Sequence, residues 1–277
     1  MNPRFDHIVI LVPCLKVACK QFSELGFKVT LGGSHGVTHN AMIIFADKTY
    51  IELITYKNPL ARLLISAVGF FSKLPNSAGS TPKVKQRFFK WFSKEFGPVD
   101  WCLRVEDMLQ TLATLADQEV DVFQSQAFHR IRPDGVKVEW HLGGFDDFDL
   151  PFLLYDETPY RARVPYDASL KHANGAIGIQ CLKLKPCNHS HAIKQLSLLL
   201  GQAPLKDHNG SRFDVGANAI TLNSAKDSTP SYVVELAYLG SEKKHLDIAK
   251  ASATHIWLVP QTDNPSAKLS PPQELSR

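Results

Sequence analysis

The chain has 277 residues, of which 44% are hydrophobic and 21% are charged, so it can bury a large core and is not a largely disordered protein. Its net charge of +4 is uneven, because residues 57–97 hold eight basic residues against one acidic residue and the remainder is net acidic. Five cysteines without CxxC pairs or zinc-ligand spacing predict reduced thiols and a cytoplasmic location. The apolar stretch at residues 8–15 is too short for a membrane span and lacks the flanks of an export signal.

Three segments of the chain repeat one pattern, a strand followed by an amphipathic helix and then by further strands. The predicted first strands cover residues 5–12, 99–107 and 177–186. In the first segment, apolar side chains from Leu15 to Leu25 recur at helical spacing, and Gly26 ends the helix. Strand, helix and antiparallel strands in succession predict an α+β fold.

Turn signals place the later strands of each segment. Residues 38–46 and 49–56 flank a tight hairpin turn at Asp47-Lys48, and residues 122–132 and 136–142 flank the Arg-Pro-Asp-Gly turn. The third segment is shorter, with strands at 217–223 and 231–239. The predicted organisation is a first βαβββ module at 1–56, a basic, aromatic helical insertion at 57–97, a second βαβββ module at 98–160, a partial third module at 161–260 and a polar tail at 261–277.

The insertion at 57–97 belongs to no repeat. An apolar helix is predicted at 59–74, a loop at 75–82 and a basic, aromatic segment at 83–96. One interpretation is that the insertion only covers an end of the sheet; others are a mobile lid over a cavity, an oligomer contact or a weak contact with a membrane surface. Nucleic acid is not an expected partner, because no recognition module surrounds the basic residues.

Side-chain alternation along the predicted strand 50–56 groups Glu52 with aromatic residues on the face turned away from the helix. On the first strand, the same alternation groups His7 with Val9 and Leu11. A carboxylate on an apolar face needs a partner, since burying an unpaired charge costs several kcal/mol. His7 is the natural candidate if the two strands are neighbours.

Five stretches together resemble one known superfamily: FDHIVILVP (5–13), the hairpin of 38–53, DWCLRVEDM (100–108), RIRPDGVKVEW (130–140) and DLPFLLYD (149–156). They resemble the vicinal oxygen chelate superfamily, and within it the bacterial glyoxalase-like domain proteins. The resemblance implies repeated βαβββ modules that form a curved sheet around a cavity. It also implies a small-molecule enzyme, a lyase or isomerase acting on a hydrophobic substrate with vicinal oxygens. His7 and Glu52 would then hold a divalent metal, and imidazole with carboxylate suits Mn, Fe, Co, Ni or Zn.

The second module departs from the metal pattern of the superfamily. Alignment of the repeats places Trp101 opposite His7, and the position of Glu52 falls near Leu154 or Tyr155. Two of the four usual ligands are therefore absent, and His39 is a substitute candidate. The alternative is a metal-free hydrogen-bonded pair of His7 and Glu52 in a small-molecule binding or resistance protein.

The remaining candidates are residues that strand alternation, the alignment of the repeats or the Arg-Pro-Asp-Gly hairpin places near the same cavity. Tyr155 is expected to orient or protonate a substrate oxygen, and Arg130 and Arg132 are candidates to clamp a substrate carboxylate. The predicted substrate-binding set is Trp101, Tyr50, Tyr56, Arg132 and His141. The sequence leaves the oligomeric state open.

Overall fold

The computed structural model describes residues 2–35, 38–58, 83–132, 134–167, 170–207, 210–224 and 230–261. The predicted helix at 59–74, the predicted loop at 75–82 and the tail from residue 262 lie outside these ranges. The helices are α1 Leu15–Glu24, α2 Lys83–Ser93, α3 Met108–Asp117, α4 Tyr160–Arg163 and α5 His189–Leu200. The strands are β1 Arg4–Leu11, β2 Thr30–His35, β3 Thr38–Ile44, β4 Tyr50–Tyr56, β5 Gly97–Arg104, β6 Val122–Ile131, β7 Lys137–Phe145, β8 Phe152–Asp156, β9 Ala176–Leu184, β10 Leu205–Asp207, β11 Gly210–Val215, β12 Asn218–Asn223, β13 Tyr232–Tyr238, β14 Lys244–His245 and β15 His255–Pro260.

The first two modules build one curved sheet in the order β2-β3-β4-β1-β5-β8-β7-β6. Within each module the first and last strands are parallel neighbours, β1 with β4 and β5 with β8. The modules join through the antiparallel pair β1–β5. The predicted α+β fold of paired βαβββ modules around a curved sheet is confirmed.

A second sheet repeats this arrangement in the order β10-β11-β12-β9-β13-β15-β14. The predicted strands at 217–223 and 231–239 are present as β12 and β13. However, β13 pairs antiparallel with β9, as β5 does with β1. It therefore takes the place of the first strand of a further unit and is not the closing strand of the third module, which is β12.

One hydrophobic core joins the two sheets. Buried side chains of α1, α3 and α5 and the inner faces of both sheets form a continuous cluster that includes Phe22, Leu112, Leu196 and Trp101. The opposite face of the first sheet carries a smaller apolar cluster, to which Trp91 of α2 contributes. Helices α1, α3 and α5 thus lie on one face of the first sheet. The other face of this sheet and α2 together enclose a cavity. No helix in the described ranges is both long and apolar enough to cross a bilayer.

A buried ion pair fixes α2 to the first sheet. The Arg87 guanidinium donates through Nε and Nη2 to the Asp100 carboxylate at 2.6 and 2.7 Å, and Trp91 Nε1 donates to the same carboxylate at 2.5 Å. Arg87 and Asp100 are 1% and 2% exposed. This half of the insertion is therefore anchored, and the mobility of residues 57–97 as a whole stays a prediction.

We expect Arg87→Met to lower the free energy of unfolding by roughly 3–5 kcal/mol, because it leaves the Asp100 carboxylate buried beside no cation. Urea denaturation measures the change. Lys83→Met is the matched control on the same helix: its partner Asp146 is half-exposed, so the expected loss is below about 1 kcal/mol. Equal effects of the two substitutions would show that the buried pair does not anchor α2.

Candidate functional site

The curved first sheet and α2 enclose a cavity of about 550 Å³. Its walls are mainly apolar and aromatic, with a few polar groups, which is typical of small-molecule sites. The lining includes His7, Gly33, Thr38, His39, Asn40, Met42, Tyr50, Glu52, Ile54, Lys85, Phe88, Phe89, Trp91, Phe128, Arg130, Trp140, Leu142, Phe152, Leu154 and Arg163.

His7 and Glu52 meet in the wall of this cavity, as their strand positions predicted. The parallel register of β1 and β4 pairs His7 with Tyr50 and Val9 with Glu52. His7 Nε2 lies 3.6 Å from Glu52 Oε2, and the His7 ring stacks on Tyr50 with centroids 4.5 Å apart. The His7 side chain is nearly inaccessible, whereas that of Glu52 is 16% exposed toward the cavity.

Asp6 fixes the tautomer of His7. Its Oδ1 lies 2.7 Å from His7 Nδ1, and its Oδ2 accepts from Arg163 Nη2 at 3.0 Å. Burial opposes ionisation of Asp6, but the Arg163 charge, the contact with His7 and the Arg104 charge together outweigh burial and hold the pKa of Asp6 well below its usual range. An ionised carboxylate can only accept, so Nδ1 carries a proton, and in the neutral ring Nε2 presents its lone pair toward Glu52.

The position of Asp6 depends on a β-bulge. Against β5, Phe5 pairs with Leu103 and His7 pairs with Cys102, so Asp6 is an extra residue on β1. A bulge breaks strict alternation and lets two successive side chains point toward one side. Alternation alone places Asp6 on the face opposite to His7, which is why sequence reasoning missed this residue.

Arg163 links Asp6 of the first module, next to His7, with Asp156 of the second module. Its guanidinium donates to Asp6, to both oxygens of Asp156 and to the Tyr50 hydroxyl at 2.7 Å. Burial by itself lowers the pKa of Arg163, but the carboxylates around it raise the pKa well above its ordinary value. Arg163 is therefore a fixed cation that neutralises Asp6 and Asp156.

Asn40, and not His39, shares the strand face of Glu52. Asn40 Nδ2 donates to Glu52 Oε1 at 2.5 Å, and the β3–β4 register pairs Asn40 with Ile54 but His39 with Thr55. The hairpin was expected to turn across two residues; it closes instead by a bond from Phe45 N to Thr49 O, with Lys48 at positive φ. One extra loop residue moves every side chain of β3 to the other face, so His39 lies on the strand face opposite to Glu52, although it still borders the cavity.

The second module contributes apolar groups to the cavity. Its cavity-facing residues on β7 and β8 are Trp140, Leu142, Phe152 and Leu154. Cys102 is the residue of β5 directly opposite His7, and its sulfur lies within 4.8 Å of ligand atoms of Asp6 and His7. Burial raises the pKa of the Cys102 thiol well above its ordinary value, so it stays protonated and is a poor ligand. Because Asp6 is already ion-paired with Arg163, His7 and Glu52 are the better-placed metal ligands.

Trp101 lies in the core and not in the cavity. It is 2% exposed and stacks on Phe5 with centroids 6.3 Å apart. Because Cys102 faces the cavity side, its strand neighbour Trp101 points to the helices. The prediction that Trp101 belongs to the substrate-binding set is therefore wrong.

His141, Tyr155 and Arg132 also lie away from the cavity. His141 alternates with Trp140 and so points to the helix side of β7, where it contacts Ser125 and Tyr155. Arg132 bonds Asp134 at 2.7 Å at the hairpin. Of the predicted walls, Tyr50 lines the cavity, and Tyr56 is buried in the apolar cluster behind it.

The sequence profile of the glyoxalase-like domain family matches residues 5–200, which is more than two thirds of the chain. The chain belongs to this family. The fold agrees, since a hypothetical protein from Staphylococcus aureus superposes with a TM-score of 0.69 at 16% identity, covering 94% of this chain and all of the other. The search of curated proteins found no match.

Two enzymes give weaker structural matches. One is the Mn(II)-bound glyoxalase from Novosphingobium aromaticivorans, with a TM-score of 0.46 and 11% identity over 85% of this chain and 66% of the other. The other is methylmalonyl-CoA epimerase from Mycobacterium tuberculosis, with a TM-score of 0.36 and 15% identity over 57% of this chain and 91% of the other. At these scores the matches support no functional conclusion.

The buried Asp6 carboxylate leads to a pH prediction. Because its folded pKa is lowered, its stabilising effect is complete above the unfolded pKa of roughly 3.9 and declines as pH falls below it. We expect Asp6→Asn to cost about 3–5 kcal/mol at pH 7, and this difference from the wild type to narrow only below about pH 4.

Urea denaturation at pH 3 to 7 measures this difference, with Glu106→Gln as the control, since Glu106 forms an exposed pair with Arg4. A difference that already narrows between pH 7 and 5 would show that Asp6 is not held ionised by Arg163.

Proposed function

We propose that the protein is a small-molecule enzyme of glyoxalase-like type, a lyase or isomerase that acts on a hydrophobic substrate carrying two neighbouring oxygens. One observation carries the proposal: His7 Nε2 and Glu52 Oε2 face each other at 3.6 Å in the wall of an apolar cavity. The Asp6 contact fixes the lone pair of His7 in that direction. Such an arrangement of lone pairs is suited to a metal ion or to proton transfer.

The donor set fits a weakly held divalent metal. At 3.6 Å the two atoms are too far apart for a good hydrogen bond, and His7 and Glu52 are the residues that would hold a divalent ion. The Asp6–His7 contact is the outer carboxylate–histidine pair that commonly supports such a ligand. With only two well-placed protein ligands, we expect weak affinity and coordination positions open to substrate. When bound, a Mn, Fe, Co, Ni or Zn ion would polarise the substrate oxygens as a Lewis acid.

The protein's own groups supply the remaining chemistry. The aromatic walls exclude water and hold the hydrophobic part of the substrate. Glu52 is the group best placed to take a proton from a carbon beside the polarised oxygens and to return it. Asn40 holds Glu52 Oε1 and so leaves Oε2 toward His7 and the cavity.

A metal-free binding or resistance protein is the second candidate. It is favoured by the cavity-facing residues of β7 and β8, which are apolar and supply no ligand. In that case His7 would be protonated and would pair with Glu52 as a salt bridge. Metal affinity distinguishes the two functions.

We expect the purified protein to bind one first-row divalent ion per chain. His7→Ala and Glu52→Gln should each weaken this binding by at least the roughly 10–100-fold typical of losing an outer partner of a metal ligand. Isothermal titration with Mn²⁺, Co²⁺, Ni²⁺ and Zn²⁺ measures the affinity, and elemental analysis measures the native content.

His141→Ala is the matched control, because His141 lies on the other face of the sheet and should leave affinity unchanged. Wild-type protein that binds none of these ions would contradict the metal-assisted reaction and favour the binding protein.

A further inference from the structure

Among the described residues, three cationic side chains line the cavity: Lys85, Arg130 and Arg163. Arg163 is buried and ion-paired with Asp6 and Asp156, so its charge is already neutralised. Lys85 is exposed on α2. Arg130, which is half-buried on β6, differs from both.

The Arg130 guanidinium donates hydrogen bonds to neutral groups only, and the Glu52 carboxylate of the same cavity acts on it through its charge without forming an ion pair. Its Nη1 donates to the Gly32 carbonyl and its Nη2 to the Arg163 carbonyl, each at 2.8 Å. Its Nε is shielded from solvent and has no hydrogen-bond partner among the described residues. Within those residues no carboxylate lies within ion-pair distance of Arg130, so this fixed cation in the cavity wall has no ion-pair partner.

The fold positions this guanidinium before any ligand binds. Arg130 lies on β6 and Gly32 on β2, the two edges of the first sheet, so the side chain bridges the open side of the curved sheet. Gly33 lies directly beside it, and a Cβ there would stand only 3.3 Å from Nη1. A donor that is already immobilised loses little further entropy when it binds an anion.

We infer that Arg130 binds a carboxylate of the substrate, so that the substrate is a hydrophobic organic acid. The inference rests on the proposed function only in taking this cavity as the substrate site. A carboxylate matches the fork of an arginine, and the apolar surroundings strengthen the pair relative to water. The aromatic walls would hold the rest of such a molecule.

The test compares two ligands of nearly the same shape, 2-naphthoate and 2-naphthamide. Each displaces the neutral fluorescent dye N-phenyl-1-naphthylamine from the cavity, and the ratio of their affinities measures the preference for a carboxylate. EDTA is present throughout, so a metal cannot hold the carboxylate and failure of the metal proposal leaves this result unaffected. We expect wild-type protein to prefer the carboxylate by at least about tenfold, as for a hydrogen bond to a charged group.

Arg130→Met should remove this preference while leaving the affinity for the dye and the amide unchanged, and Arg130→Lys should keep part of it. Arg132→Met is the control, because Arg132 bonds Asp134 outside the cavity. A wild-type ratio near one overturns the inference, and so does a ratio that persists in Arg130→Met. Equal loss of both naphthalene ligands in Arg130→Met and Arg130→Lys would also overturn it, because Arg130 would then only support the wall.

Discussion

The buried ion pair of Asp6 and Arg163 is the interaction on which the site depends. It keeps a carboxylate ionised beside His7 in an interior where a lone charge would be unstable. Because Asp6 stays ionised, His7 keeps its proton on Nδ1 and presents Nε2 to Glu52. Arg163 follows the second module, whereas Asp6, His7 and Glu52 belong to the first, so the site forms only when the two modules pair.

One face of the first sheet contributes to the stability of the fold, and the other face carries the polar groups of the site. The helix face belongs to the core shared with the second sheet and holds Trp101. On the other face, the cavity-facing residues of β7 and β8 are apolar, whereas Asn40, Glu52 and His7 of the first module form a polar cluster. A cavity with its polar groups on one wall orients a substrate that has one hydrophobic and one oxygen-rich part. Arg130, whose side chain bridges the two edge strands β6 and β2, adds a fixed positive charge to this cavity.

The sequence predicted the fold and the central pair because both depend on strand periodicity. His7 and Glu52 were found from alternation and from the pairing of the first and last strands of a module. Two errors come from single-residue irregularities that strand periodicity cannot predict. The bulge at Asp6 hid this residue, and the extra hairpin residue before Thr49 put His39 on the wrong strand face. Alignment of the repeats misplaced Trp101, and strand alternation misplaced His141; the faces of both residues could be fixed only after the modules were paired. Arg163 was missed because two of its partners, Asp6 and Tyr50, are more than a hundred residues away along the chain.

The central claim is that His7 and Glu52 present their lone pairs to one point in the cavity. The most direct measurement is anomalous diffraction from a crystal of the protein soaked in Mn²⁺. The account predicts one strong peak within bonding distance of both His7 Nε2 and Glu52 Oε2, with the Asp6–His7 contact retained. A peak instead between Asp6, His7 and Cys102, or no peak in the cavity of a saturated crystal, would contradict it.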